Sequence, residues 1–417
     1  MSTNFFDLSQ YCFSRRKDVV NPGKTIYNPL YSNVRTMKGK DQIIGNSSID
    51  YSLEASVEVA AAAIEQGINP ANSVEFIAQS NLNVDGIINR GDIYTGRGRD
   101  TVYGSGTAQI TAVAQTVSQA IAIANTVDAA AIANSLAAIE VAAVVNGINN
   151  SGKISTGPGS DSVVGEVNAA VGAIATASVD AIAIVTAIAE APMSEGLKAV
   201  AQGFAISLAQ AKVVATGINN KYGEISTGLG SDNISATATS YSATYAAAEF
   251  SAISAAAPSE NKALAQAVMQ AIAETEDKAI AINNKYGDIS TGFGADTIEA
   301  YASGSKSYGI YGGDIRTGLG ADTIKAYASG SESYGIYGSD IRTGLGADTI
   351  KASARGSESY GIYGGDIRTG FGADTIEASS FGGGVNINMG DGEDYVEGFG
   401  DAIIYGDLGF DTLSLGS

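Results

Sequence analysis

GDISTGFGADTIEA (287–300), GDIRTGLGADTIKA (313–326), SDIRTGLGADTIKA (339–352) and GDIRTGFGADTIEA (365–378) are four copies of one phrase, set 26 residues apart. The Asp of the phrase returns at Asp296, Asp322, Asp348 and Asp374 without slippage. A strict period of this length marks a solenoid, because a single repeat cannot bury its apolar positions and does so only by stacking on its neighbours. The unit of the fold is therefore one coil.

The cycle itself can be read from Thr317 onward. In Thr317-Gly318-Leu319-Gly320-Ala321-Asp322, two glycines flank one apolar residue, which opens turned backbone conformations closed to other residues. Thr323 to Ala328 then alternates polar and apolar, the period of a strand with one buried face. Ser329-Gly330-Ser331-Glu332-Ser333 reads as a second turn, and Tyr334–Tyr337 and Asp340–Arg342 read as short strands leading into the next TGxG. Ile324, Ile336 and Ile341 are expected to point inward and to stack on Ile298, Ile310 and Ile315 on one side and Ile350, Ile362 and Ile367 on the other. Such aliphatic ladders predict a mainly β protein, a right-handed parallel β-solenoid of the β-roll or β-helix kind.

The nonapeptide TGLGADTIK (317–325) resembles the GGxGxDxUx repeat of the RTX (repeats-in-toxin) calcium-binding proteins, with Thr in place of the first Gly. The C-terminus is closer still in MGDGEDYV (389–396) and GDLGFDTL (406–413), the latter with Asp407 at the second Gly position. The resemblance implies that turn carbonyls and the Asp carboxylate hold Ca2+ between adjacent coils. Carried onto this chain, the implied metal residues are Asp100, Asp161, Asp232, Asp296, Asp322, Asp348 and Asp374. The turn glycines Gly292, Gly294, Gly318, Gly320, Gly344, Gly346, Gly370 and Gly372 accompany them. At the C-terminus the implied residues are Asp391, Asp394, Asp407 and Asp411 with Gly390, Gly392 and Gly409.

The spacing of the aspartates points toward a cation independently of that resemblance. The TGxGxD aspartate does not vary among the repeats, and stacking would set the carboxylates about 5 Å apart, one strand spacing. Like charges that close destabilise a fold unless something sits between them. Calcium accepts six to eight oxygens in flexible geometry, and this arrangement offers oxygens only. The alternative is that each Asp caps backbone N–H groups as an Asx-turn with no metal.

Composition narrows the function. The 417 residues carry 24 Lys+Arg against 44 Asp+Glu, a net charge of −20, which disfavours nucleic acid and anionic membranes and favours divalent cations. There is no His, so His-dependent triads and His-ligated zinc are excluded, and the single Cys12 rules out an intramolecular disulfide. Repeats also spread their chemistry evenly, whereas catalysis needs one unique constellation, and none is visible. Met1 to Lys17 lacks the apolar stretch of a signal peptide. The RTX resemblance implies export without a cleaved signal, by a type I route, to the cell surface or beyond.

Before the regular repeats the aspartates are farther apart. The intervals from Asp41 through Asp100, Asp161 and Asp232 to Asp296 are 59, 61, 71 and 64 residues. The extra length is Ala-rich: AAAIANSLAAIEVAAVVNG (129–147), GLKAVAQGFAISLAQAKVVATG (196–217) and NKALAQAVMQAIAETEDKAIA (261–281). Asp128, Ser194-Glu195 and Pro258-Ser259-Glu260 stand before them as N-caps, and Gly147 and Gly217 can close the first two, so the composition predicts helical insertions. Val167–Ala191 is too rich in small and polar residues to read as a membrane span.

The expected organisation is a cap (1–30), large coils with helical insertions (31–286), regular 26-residue coils (287–380) and RTX-like terminal coils (381–417). The expected function is a non-enzymatic, calcium-binding repeat protein with a structural, adhesive or self-assembling role outside the cell. The alternative is a calcium-independent intracellular scaffold that binds a partner. The tyrosine rows Tyr308/Tyr334/Tyr360 and Tyr311/Tyr337/Tyr363 read as structural ladders rather than a sugar-binding face. A third reading is an ice-binding or polysaccharide-acting β-helix, although the row Thr291/Thr317/Thr343/Thr369 lacks the paired array of an ice-binding surface and no polysaccharide-cleaving constellation stands out.

Overall fold

The computed structural model describes residues 5–64, 71–124, 129–186, 198–257 and 262–416. Strands stack in parallel into a sheet of nineteen and a sheet of eleven among these residues, with one small two-stranded pair. Each coil gives one strand to the eleven-stranded sheet and, in most coils, two consecutive strands to the nineteen-stranded one. Corresponding residues of successive coils pair one for one, as in Thr297↔Thr323↔Thr349↔Thr375. The expected isoleucine ladders are present, and Ile298, Ile324, Ile350, Ile310, Ile336, Ile362, Ile315, Ile341 and Ile367 are all buried.

The large coils overturn the helical expectation. Their extra length is strand: β1 (Gln42–Ile64), β2 (Ala71–Asn89), β3 (Thr101–Ala124), β4 (Ala129–Asn150), β5 (Ser162–Thr186), β6 (Lys198–Asn219), β7 (Asn233–Ala257) and β8 (Lys262–Asn283). The caps assigned to Asp128, Ser194-Glu195 and Pro258–Glu260 lie outside the described residues. The odd-numbered strands stack in one sheet and the even-numbered in the other, and the two sheets lie face to face as a long fin projecting from the body. At about 3.3 Å per residue, strands of this length reach roughly 80 Å.

The physical reason is cooperative pairing. Ala leads the helix scale by only a few tenths of a kcal/mol per residue over its neighbours. Here every residue of β3 from Thr101 to Ala124 instead pairs with β1 or β5 neighbours, with no slip between Thr101↔Ser162 and Ala124↔Val185. The inward rows are small: Ala112, Ala114, Ala120 and Ala122 on β3 face Ala131, Ala133, Ala137 and Ala143 on β4, all buried. Small side chains let two sheets close on each other without voids. Inward hydroxyls find partners, since Thr116 Oγ1 and Ser135 Oγ lie 2.6 Å apart and Ser207 Oγ donates to the Ala175 carbonyl at 2.5 Å. Among the described residues no helix is long and apolar enough to cross a membrane.

The N-terminal residues already lie on the stack, because Phe6–Asp7 pairs with Ile26–Tyr27, and Ile26–Asn28 pairs with the end of β2. Buried Leu8 and a chain of ring contacts, Phe6–Tyr11 at 6.3 Å and Tyr11–Phe13 at 4.8 Å, close this end. The opposite end is open. Its last strands, Gly400–Tyr405 and Thr412–Leu415, leave Leu408, Phe410, Leu413 and Leu415 more than half exposed.

Candidate functional site

Asp322 sits two residues before Ile324 on the same inward face, because side chains alternate along a strand. The TGxG turn delivers it there. Gly318 and Gly320 take φ of 105° and 139°, and a Cβ on Gly320 would lie 1.6 Å from the Gly294 carbonyl oxygen of the coil beneath. Glycine is required at that position for two coils to touch.

The aspartates form one continuous ladder. Each backbone N–H donates to the Oδ1 of the next coil's Asp: Asp41 to Asp100, Asp100 to Asp161 and Asp161 to Asp232, all at 2.8 Å. The series continues from Asp232 through Asp296, Asp322, Asp348 and Asp374 to Asp394 at 2.8–2.9 Å, and ends on Asp411 at 3.2 Å. Beside it runs the threonine row, in which Thr291 Oγ1 donates to the Thr317 carbonyl at 3.1 Å and Thr317 to Thr343 at 3.1 Å. That row is fully buried, which removes it as a surface for ice.

What remains is one oxygen per coil. Oδ2 of Asp41, Asp100, Asp161, Asp232, Asp296, Asp322, Asp348, Asp374 and Asp394 is buried and accepts no hydrogen bond. A buried carboxylate oxygen left without a partner is costly and calls for a proton or a cation. Burial pushes the Asp161 carboxyl up to about 7, against the opposing pull of the Asp100 amide. It pushes Asp348 up to about 6 in the same way, and Asp100, Asp232, Asp296, Asp374 and Asp394 move in the same direction.

The donor set suits a hard cation in kind, being all oxygen and repeating at the coil spacing. The turn carbonyls are engaged, since Gly294 N–H donates to the Leu319 carbonyl at 2.7 Å and Gly320 N–H to the Leu345 carbonyl at 2.8 Å, but each carbonyl oxygen keeps a second lone pair. No group of three or more His, Cys, Asp or Glu side chains among the described residues is placed to hold a metal by side chains alone. Any cation here would draw on backbone oxygens as well.

Two of the implied residues stand apart. Asp391 pairs with Phe371 at the variable position of the turn, and Asp407, at φ 60°, accepts from Asn388 Nδ2 at 2.8 Å. Neither joins the buried ladder. Asp41 does join it, although Met37 replaces a turn glycine in its coil.

A second polar ladder lies at the other corner of the large coils. Asn28, Asn89, Asn150, Asn220 and Asn284 are fully buried, and each of the first four donates Nδ2–H to the next Asn Oδ1 at 2.6–2.8 Å. The INN tripeptides at Ile148–Asn150, Ile218–Asn220 and Ile282–Asn284 carry this signal in the sequence. Tyr222 and Tyr286 at the adjoining turn take φ of 67° and 64°, and their rings stack at 5.3 Å. Farther along, Tyr308–Tyr334 and Tyr311–Tyr337 stack at 5.2 and 5.4 Å, so these rings cover one another's faces instead of offering them to a sugar.

No protein-family model matches the chain, and neither a curated protein nor a solved structure matches it.

Proposed function

We propose that this chain is a non-enzymatic structural β-solenoid that binds calcium along its aspartate ladder and works, by adhesion or self-association, at the cell surface or outside the cell. The observation that carries the reading is the row of nine buried, unpartnered Oδ2 atoms, one per coil. Asp100, Asp161, Asp232, Asp296, Asp322, Asp348, Asp374 and Asp394 would hold the ion together with carbonyl oxygens of the TGxG turns. Bound there, the ion would supply positive charge between stacked carboxylates and so tie coil to coil. The likeness of the turns to RTX repeats supports the same reading, as does the net charge of −20.

The test is a thermal melt of the purified chain across calcium concentrations, with EDTA and magnesium as controls. A melting temperature that climbs with calcium, and less so with magnesium, is the expected result. Equal melting in EDTA and calcium would sink the metal reading. The second reading, a metal-free scaffold whose ladder holds protons, is favoured by the raised Asp161 and Asp348 carboxyls.

A further inference from the structure

The fin has two long edges, and they differ. On one side, β1 is paired by Val19–Val20 only at Gln42–Ile43, and β2 by Ile26–Asn28 only at Ile87–Asn89. On the other, β7 is paired onward only from Asn233 to Thr239, and β8 only from Lys278 to Asn283. Among the described residues, Ser240–Ala257 and Lys262–Asp277 therefore have a neighbouring strand on one side alone. Parallel pairing turns alternate N–H and C=O groups toward that open side, where they await a strand.

Sequence distinguishes the edges. The β1 edge carries Asp50, Glu54 and Glu58, charges that oppose a further strand. From Asn233 to Ala257, β7 has no Pro, no Gly and one charged residue, Glu249. Tyr241 and Tyr245 on it are 63% and 58% exposed. A long, nearly uncharged strand such as β7, rich in Tyr, Thr, Ser and Ala, is the kind that templates pairing.

We propose that the β7/β8 edge is the interface of a two-fold dimer, with β7 pairing antiparallel to β7 of a second copy. The 26-residue coils dictate the direction. They rise from the base of the fin, where Asn233–Thr239 pairs with Thr297–Ser303, and block any copy whose base lies at the same end. With the strands reversed, each body passes beyond the other's tip and the two steps interlock. Reversal also sets the acidic Glu274, Glu276 and Asp277 of β8 toward the acid-free stretch Ala263–Ala273 of the other copy. An edge of about 55 Å across two sheets about 10 Å apart buries on the order of 1,000 Å² per copy, enough for a stable dimer.

The inference rests on the reading of the chain as a self-associating structural protein, and light scattering on the eluting full-length chain tests it, run in EDTA and in calcium. The expected mass is twice 42.2 kDa in both. Tyr241→Lys/Tyr245→Lys should return the single-chain mass with an unchanged β spectrum, while Glu54→Lys on the opposite edge should leave the dimer intact. Wild-type chain at the single mass, a lysine variant that stays dimeric, or a mass that grows without limit would each overturn the proposal. Loss of calcium-dependent melting with the dimer intact would remove the metal reading alone.

Discussion

Asp161 and Asp348 carry the chemistry of the ladder at the scale of one residue. Each holds its proton more tightly folded than unfolded, since burial lifts them to about 7 and about 6 from an ordinary value of 3.8. Between those values the native state binds more protons than the unfolded state, so stability falls as pH rises. In EDTA the melting temperature should be highest near pH 4 and drop steadily toward pH 8, and calcium added at the alkaline end should recover much of the loss. A melting temperature flat or rising across this range in EDTA would contradict the buried, unpartnered carboxylates. Asp348→Asn keeps an acceptor for the Asp322 amide and removes one charge. Its stability in EDTA should vary less with pH and its response to calcium should shrink, measured by the same melts.

Elements are held by ladders, and their cost of failure follows from burial. Ile324→Ala opens a cavity between Ile298 and Ile350 and should cost about 2–4 kcal/mol in denaturant unfolding. Asn150→Ala leaves Asn89 without its acceptor and Asn220 without its donor, a cost of about 1–3 kcal/mol by the same measurement. The regular coils were legible because their alternation and glycine turns recur with one spacing. The fin was not, because Ala occupies both faces. Along Ala169–Ala181 the inward residues are Ala or Val and the outward ones include Gly172, Ile174 and Thr176, so apolar and polar no longer alternate cleanly. Composition then points to a helix, while the deciding fact, a partner strand in the coils above and below, is tertiary. Far-ultraviolet circular dichroism of the whole chain should accordingly show a single β-type minimum, and a helical double minimum would contradict the fin.

For the whole molecule, the sequence made clear where the aspartates lie and that they stack. It did not reveal that one oxygen of each is bonded and the other stranded, since that depends on how the amide of one coil meets the carboxylate of the next. Nor did it show that the large coils project as a thin blade from a body closed at its N-terminal end by Leu8 and its neighbouring rings.

The one-for-one register of the 26-residue coils makes the body a ruler. Because Thr323 and Thr349 each stand between threonines of the coils on either side, duplicating one such coil should lengthen the object by a single strand spacing, about 4.8 Å, and leave both ends as they were. Length in such a molecule changes in whole steps, by copying a stretch of gene, with no new contact to invent.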